Sequence, residues 1–288
     1  MHGIYIFIRL KKRRVLIFFV ICDTMGYGLN KTKEVSDMRE IIQKKLSEIE
    51  ERENVKILYC AEAGSRATGL SSEDSDYDVR FIYVRPLVDY LKLEAIRDVI
   101  EWQCDGDMDI SGWDIKKALA LGYRSNPSLL EWMTSPTVYR QTEEWCSVAE
   151  IIKEFFSSKN VAMHYISMAK SNYDGGFFSE SIKLKRYFYL LRPLLSAEWV
   201  FTKNEMPPLE FEKLTDLLPE GEIRGTVAKL VEDKRNGSKR NEGAPIPFLN
   251  EYITRRIGEL EAKVRALPDV KRGEMRALDE VFLSLLKV

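Results

Sequence analysis

The amino-acid sequence predicts an α+β protein in which a small mixed β-sheet flanked by helices is followed by an all-helical region. Segments rich in β-branched and aromatic residues, typical of strands, fall between about residues 55 and 112. After Thr142, apolar residues recur at helical spacing to the end of the chain. The 288 residues are enough for two ordinary domains. We therefore expect an α+β domain at about 38–140 and a helical domain at about 141–288.

The first 37 residues differ from the rest of the chain. A basic stretch at 9–14 precedes an apolar run of eight residues, Val15 to Cys22. This run is shorter than the roughly 20 residues of a membrane-spanning helix, and no small-residue cleavage site follows it. We predict that residues 1–37 form a disordered or non-native extension without a membrane role. Met25 and Met38 are internal candidates for the start of translation, and we favour Met38.

The first predicted helix begins at Met38, where Asp37 and Glu40 have the spacing of a capping box. Its apolar stripe consists of Met38, Ile41, Ile42, Leu46 and Ile49.

Four strands and a short helix follow in the N-terminal region. Glycine after the first strand predicts a tight turn and a short helix at 64–70. The predicted strands are 55–61, 76–84, 96–102 and 108–112. A helix is expected near Asp114, and Asn126 before Pro127 predicts the start of another. The helices predicted after these are 143–172, 178–202, 208–218, 222–236, 246–266 and 272–287.

Composition excludes several classes of site. The formal net charge of −1 gives no overall basic field, although a local basic groove remains compatible with it. The two histidines and four cysteines are scattered without a CxxC pair, which excludes a clustered zinc site. We expect the thiols to be reduced and mostly buried, consistent with a cytoplasmic protein.

Candidate catalytic residues concentrate between Gly64 and Asp78. Gly64 allows close approach of a phosphate, and Ser65 supplies a hydroxyl and an amide at a helix N-terminus. Asp76 and Asp78 alternate along a strand, so both carboxylates project from one face, with Tyr77 and Val79 towards the core. Two adjacent carboxylates repel each other unless a cation lies between them, and carboxylate oxygens suit Mg²⁺.

A third carboxylate on a neighbouring strand would complete a two-metal site. Asp109 lies between apolar residues on a predicted strand, whereas the competing Asp107 follows Gly106 in a turn. Each feature also has a purely structural interpretation. Gly-Ser is common in turns, an Asp-x-Asp pair usually faces water, and Asp109 could cap the helix near Asp114. Their order along the chain favours a catalytic site over these separate interpretations.

These motifs resemble those of DNA polymerase beta-type nucleotidyltransferases. More narrowly, they resemble the nucleotidyltransferases called YcgL-type or RNA-ligase-associated (RlaP), from about Met38 to beyond Phe211. The segments that carry the narrower resemblance are GSRA at 64–67, DSDYDVRFIYV at 74–84, DISGWD at 109–114, NPS at 126–128, EW at 131–132, SP at 135–136 and PP at 207–208. Thr68 departs from the pattern, because the family leads us to expect an aromatic residue there.

The resemblance implies transfer of a nucleotide from an NTP to a hydroxyl acceptor. Asp76 and Asp78 would bind two Mg²⁺ ions, which Mn²⁺ can replace, and Asp109 would bind the ion that activates the acceptor. Gly64 and Ser65 would hold the NTP phosphates. The association of the family with RNA repair suggests an RNA end as the acceptor. A protein- or small-molecule-modifying, antitoxin-like enzyme and a catalytically silent nucleotide-binding module are the alternatives, and the oligomeric state is not predicted.

Additional positive charge could come from Arg66 and from the segment 183–192, KLKRYFYLLR. If this segment is helical, Lys183 and Arg186 lie one turn apart, and we favour them as nucleotide-binding residues. An ordinary solvated helix face is the competing interpretation. Arg80 shares the face of Asp76 and Asp78, so we expect it to balance their charge.

Overall fold

The computed structural model describes most of the chain. The described residues are 9–10, 13–14, 29–103, 106–174, 182–236, 242–269 and 273–288. The apolar run from Val15 to Cys22 therefore lies outside the described residues. The chain divides into two compact units, residues 1–44 and residues 45–288. In the first unit, β1 (Arg9–Leu10) pairs antiparallel with β2 (Arg13–Arg14).

The first helix, α1, spans Leu29–Glu53 and begins earlier than predicted. Residues 29–36 contain no glycine or proline, so the helix continues upstream of the predicted cap at Asp37. Leu46 and Ile49 are fully buried, as the apolar stripe indicates, but Ile41 is exposed.

A five-stranded mixed sheet forms the centre of the N-terminal region. Its strands are β3 (Lys56–Glu62), β4 (Tyr77–Val84), β5 (Val99–Gln103), β6 (Met108–Asp114) and β7 (Val138–Gln141). They lie in the order β5-β6-β4-β3-β7, and only β4 and β6 are parallel. The first four match the predicted strands, whereas β7 was not predicted. The parallel pairing places Asp78 at the same register position as Asp109.

Four short helices connect and flank these strands. They are α2 (Gly64–Ala67), α3 (Leu87–Tyr90), α4 (Ile115–Tyr123) and α5 (Pro127–Met133). The helix predicted near Asp114 and the cap predicted at Asn126 are confirmed: the Asp114 side chain accepts a hydrogen bond from the backbone of Lys116, and that of Asn126 accepts one from Leu129.

The rest of the described chain is mainly helical, as predicted. Its helices are α6 (Glu143–Glu154), α7 (Ser158–Asp174), α8 (Lys185–Lys203), α9 (Phe211–Leu214), α10 (Glu222–Arg235), α11 (Pro247–Arg265) and α12 (Arg276–Leu286). A short 3₁₀ turn, Thr215–Leu217, follows α9.

Two differences from the predicted helices have clear physical causes. The single helix predicted at 143–172 is broken after α6, where the Ser125 hydroxyl donates to the carbonyl of Phe155 (2.7 Å) and accepts from the amide of Ser157 (3.0 Å). The helix predicted to include Lys183 begins later, because β8 (Ile182–Lys183) pairs with β9 (Glu242–Gly243). Both partners are distant in sequence, so neither contact leaves a local signal.

A continuous hydrophobic core within residues 45–288 joins the sheet to the helices. Tyr59 of β3 stacks on Trp145 of α6 with ring centroids 5.0 Å apart, and Trp113 stacks on Trp132 at 3.8 Å. The proposed domain boundary near residue 140 stays a prediction. None of the helices described is long and apolar enough to cross a membrane. Cys60 is a buried free thiol, whereas Cys146 is free but exposed.

Candidate active site

The turn between β3 and α2 brings the backbone of Gly64 against the side chain of Asp78. Gly64 has a φ of +56°, in the left-handed region that glycine adopts without strain. A Cβ atom at this position would lie 1.7 Å from Oδ2 of Asp78. Glycine is therefore required here because the carboxylate occupies the space of a side chain.

A buried carboxylate, Glu62, holds the backbone of Asp78 in place. Oε1 of Glu62 accepts a hydrogen bond from the amide of Asp78 (2.9 Å), and Oε2 accepts one from the Tyr139 hydroxyl (2.5 Å). The amide of Ala63 in turn donates to the carbonyl of Asp78 (2.7 Å). Burial raises the pKa of Glu62, against the lowering effect of its hydrogen bonds. Sequence analysis did not identify Glu62 or Tyr139, since their partners are distant in sequence.

Arg66 organises the loop before β4. Its guanidinium donates to the carbonyls of Ser75 (2.6 Å) and Asp76 (3.2 Å), and lies 3.8 Å from the ring centroid of Tyr77. The Tyr77 side chain is only partly buried, so the prediction that it faces the core is wrong. The same prediction for Val79 is confirmed, since Val79 is fully buried. This loop leads directly into β4, so Arg66 positions the backbone that carries Asp76.

Asp78 and Asp109 lie on the same face of the sheet, and Arg80 connects them. Nη2 of Arg80 lies 3.1 Å from Oδ1 of Asp78 and 2.7 Å from Oδ2 of Asp109. Nη1 of Arg80 also donates to the backbone carbonyl of Asp109 (2.8 Å). These contacts agree with the expectation that Arg80 balances acidic charge. Its partners are Asp78 and Asp109.

The carboxylates in this cluster interact electrostatically. Burial raises the pKa of Asp78, Arg80 lowers it, and the nearby negative charges of Asp109 and Asp76 raise it further. Within the ranges that the structure describes, no three His, Cys, Asp or Glu side chains are gathered closely enough to hold a metal ion. The positive charge between Asp78 and Asp109 comes from Arg80.

A cleft of about 500 Å³ opens beside the Gly64 turn. Its lining includes Gly64, Ser65, Thr68, Asp74, Asp76, Asp78, Tyr165, Met168, Asn172, Lys185, Phe188, Tyr189, Arg192 and Lys234. The structure thus brings the Gly-Ser turn and the Asp-x-Asp pair to one cavity. Asp109 lies on the adjoining strand with its side chain 64% exposed, and it does not line the cleft.

The cationic side chains in the cleft differ from those favoured by sequence. Lys183 belongs to β8, and neither it nor Arg186 nor Arg66 lines the cavity. Arg192 does, but Glu131 binds its guanidinium through two hydrogen bonds of 2.8 and 2.9 Å. Among the described residues, Lys185 and Lys234 line the cleft without an ion-pair partner. Lys234 carries no sequence signal, because α10 is separated from the catalytic motifs at residues 64–78 by more than a hundred residues.

A glycine turn after one strand and paired carboxylates at the start of the next resemble the site of nucleotidyltransferases. The family described as "RlaP: RNA repair pathway DNA polymerase beta family" matches residues 38–284. The chain therefore belongs to this family, and it is a nucleotidyltransferase. The protein of Bacillus subtilis (strain 168) named "Uncharacterized protein YcgL" is 36% identical over 254 residues, covering 87% of this chain and 97% of that protein.

Two solved structures show weaker similarity. A nucleotidyltransferase-like protein from Exiguobacterium sibiricum 255-15 is 12% identical with a TM-score of 0.30, covering 86% of this chain and 89% of that one. A spectinomycin adenyltransferase from Enterococcus faecialis, solved with ATP and spectinomycin, is 12% identical with a TM-score of 0.36, covering 81% and 99%. With TM-scores this low, the assignment rests on the family match and the Bacillus relative.

Proposed function

We propose that this protein transfers a nucleoside monophosphate from an NTP to a hydroxyl acceptor in a reaction that requires a divalent metal ion. One observation carries the proposal: Gly64, Ser65, Asp76 and Asp78 line the same cleft. Backbone at a glycine turn can approach phosphate closely, and adjacent carboxylates favour a bound cation. The cleft therefore combines groups that suit a triphosphate with groups that suit its metal ion.

Asp76 and Asp78 are the metal ligands in this proposal. Their oxygen atoms suit Mg²⁺, and Mn²⁺ can take its place. When bound, the metal supplies positive charge to the reacting phosphate and lowers the pKa of an attacking hydroxyl. Asp109 stands on the same face of the sheet as Asp78 and is the candidate ligand for a second ion. Oδ2 of Asp109 pairs with Arg80, so this oxygen would bind a second ion only after it leaves the guanidinium.

Lys185 and Lys234 are the candidate partners of the triphosphate. Both line the cleft, and an ammonium group near the leaving pyrophosphate would offset the charge that develops there. This assignment replaces Lys183 and Arg186 with cations that face the cavity. Arg66 keeps a supporting role, since its contacts with the loop before β4 position Asp76.

We propose an RNA end as the acceptor, and the description of the family as an RNA repair pathway family supports this choice. We place this reaction in the cytoplasm, in keeping with the free thiols of Cys60 and Cys146. The near-neutral net charge favours a short contact with the RNA terminus over a long electrostatic interface.

An acceptor panel tests this proposal. The protein is incubated with each of the four α-labelled NTPs, Mg²⁺, and RNA oligonucleotides that end in either a free or a blocked 3′-hydroxyl. We expect label on RNA with the free hydroxyl only, and none with Asp76→Asn or Asp78→Asn. Label that appears equally on blocked RNA, or that persists in both variants, would contradict the proposal. Label on an added protein or small molecule instead would reassign the acceptor.

A further inference from the structure

The wall of the cleft formed by α7 and α8 contains an aromatic side chain that the core does not use. Tyr189 is 55% exposed, although its neighbours Tyr187, Phe188, Leu190 and Leu191 on α8 are all buried. The Tyr189 ring lines the cleft, and within the described part of the chain it makes no contact with another ring or with a cation. An exposed aromatic side chain inside a cavity is available to a planar ligand.

We propose that Tyr189 is the stacking platform for the nucleobase of the NTP, an inference that rests on the proposed function. Aromatic side chains stack on any base, because every base has a π-face. Met168 lines the same cavity and adds apolar surface to it. The side-chain amide of Asn172 on α7 donates to the carbonyl of Tyr189 (2.8 Å), which fixes the backbone that carries the ring.

The position of Lys185 agrees with this assignment. Lys185 precedes Tyr189 by one helical turn, so the two side chains leave α8 on the same side. Both line the cleft. A nucleotide bound along this wall would place its base on Tyr189 and its phosphates towards Lys185 and the Gly64 turn.

Position 68, the alternative position for a stacking residue, carries threonine in this chain. The resemblance leads us to expect an aromatic residue there, but Thr68 is almost completely buried and its hydroxyl donates to the carbonyl of Ser65 (3.2 Å). It lines the cleft without a ring. Phe188 also lines the cleft, yet it is only 5% exposed and packs edge-on against Phe211. Tyr189 therefore supplies the exposed aromatic surface of this cavity among the residues described.

Binding of ATP and of inorganic tripolyphosphate separates the base from the phosphates. We expect Tyr189→Ala to weaken ATP binding by about tenfold, the typical effect of losing one base–aromatic stack, and to leave tripolyphosphate binding unchanged. Tyr189→Phe keeps the ring and should bind ATP within about twofold of wild type. Lys185→Ala should weaken both ligands. Lys203→Ala, on the same helix but outside the cleft, is the matched control and should change neither.

Titration calorimetry on the full chain with Mg²⁺ measures these affinities, and thermal denaturation checks that each variant is folded. Unchanged ATP affinity in Tyr189→Ala, or equal weakening of both ligands, would overturn the stacking assignment. Wild-type protein that transfers nucleotide despite either result would leave the proposed function intact. Wild-type protein that binds neither ligand would instead contradict the proposed function, and with it this inference.

Discussion

At the scale of single residues, the site depends on the missing side chain of Gly64. The Asp78 carboxylate occupies the space that a Cβ atom would take, and the positive φ of Gly64 is one that other residues adopt only with strain. Glycine is thus required at position 64 because the Asp78 carboxylate needs the space, in addition to any need for close approach of a phosphate.

We expect Gly64→Ala to lower the free energy of unfolding and to abolish nucleotide transfer, because alanine must displace Asp78. The left-handed conformation alone costs alanine about 1–2 kcal/mol, and displacement of the carboxylate adds to this. Gly69→Ala is the matched control, since Gly69 also has a positive φ (+71°) but its added Cβ would meet only Nη2 of Arg235, at 3.7 Å. Chemical denaturation and a transfer assay measure both variants. Equal stability and activity of the two would contradict the clash.

Arg80 gives the second prediction at this scale. Arg80→Gln removes the charge that connects Asp78 and Asp109, so the carboxylates should repel each other and bind Mn²⁺ more tightly. We expect roughly tenfold tighter binding by calorimetry, equivalent to about 1.4 kcal/mol. Without metal, the variant should be less stable by up to about 1 kcal/mol, since one partner is largely exposed.

Arg97→Gln is the control for this charge removal, because Arg97 pairs with the exposed Glu101 outside the site. It should alter Mn²⁺ affinity little. If Arg80→Gln binds Mn²⁺ no more tightly than wild type, Arg80 does not compete with metal and its role is structural.

Much of the residue-level arrangement could be predicted because it follows from strand periodicity. Alternation placed Asp78 and Arg80 on one face, and Asp109 lies on the same face through the parallel pairing of β4 with β6. The balancing of acidic charge by Arg80 was predicted, but its contact with Asp109 was not, since a flexible side chain can take several directions. Lys183 shows the same limit, because its pairing partner in β9 is about sixty residues away.

At the scale of elements, the sequence predicted helix and strand bounds well where the residues that determine a bound lie next to it in the chain. Asn126 and Pro127 predict the start of α5 because cap and first-turn proline act on the same helix. The break after α6 and strand β7 were missed because distant residues create them: Ser125 binds both sides of the break, and β7 exists through its pairing with β3.

The cap of α5 gives a test at this scale. Asn126→Ala removes the acceptor for the amide of Leu129, and we expect a loss of about 1 kcal/mol in the free energy of unfolding. Asn126→Asp keeps a capping oxygen and should remain within a few tenths of a kcal/mol of wild type. Urea denaturation distinguishes the two. Equal stability of both variants would show that the cap contributes nothing measurable.

At the scale of the whole molecule, residues 45–288 share one core while the cleft draws on both the sheet region and the helices. The Gly64 turn and the Asp76–Asp78 pair come from the N-terminal region, and Tyr189 and Lys185 come from α8. The family match covers both regions, from residue 38 to residue 284. The α+β class was predictable from periodicity, but the shared core was not, since contacts such as Tyr59 with Trp145 connect separate segments.

The fate of the two ends of the triphosphate tests the central claim most directly. Wild type and Asp78→Asn are compared in parallel with α-labelled and γ-labelled NTP, and Asp74→Asn, another acidic residue of the cleft, is the control. We predict that wild type and Asp74→Asn attach the α-label to the acceptor and release the γ-label as pyrophosphate, whereas Asp78→Asn does neither. Transfer of the γ-label to the acceptor, or undiminished α-label transfer by Asp78→Asn, would contradict the account.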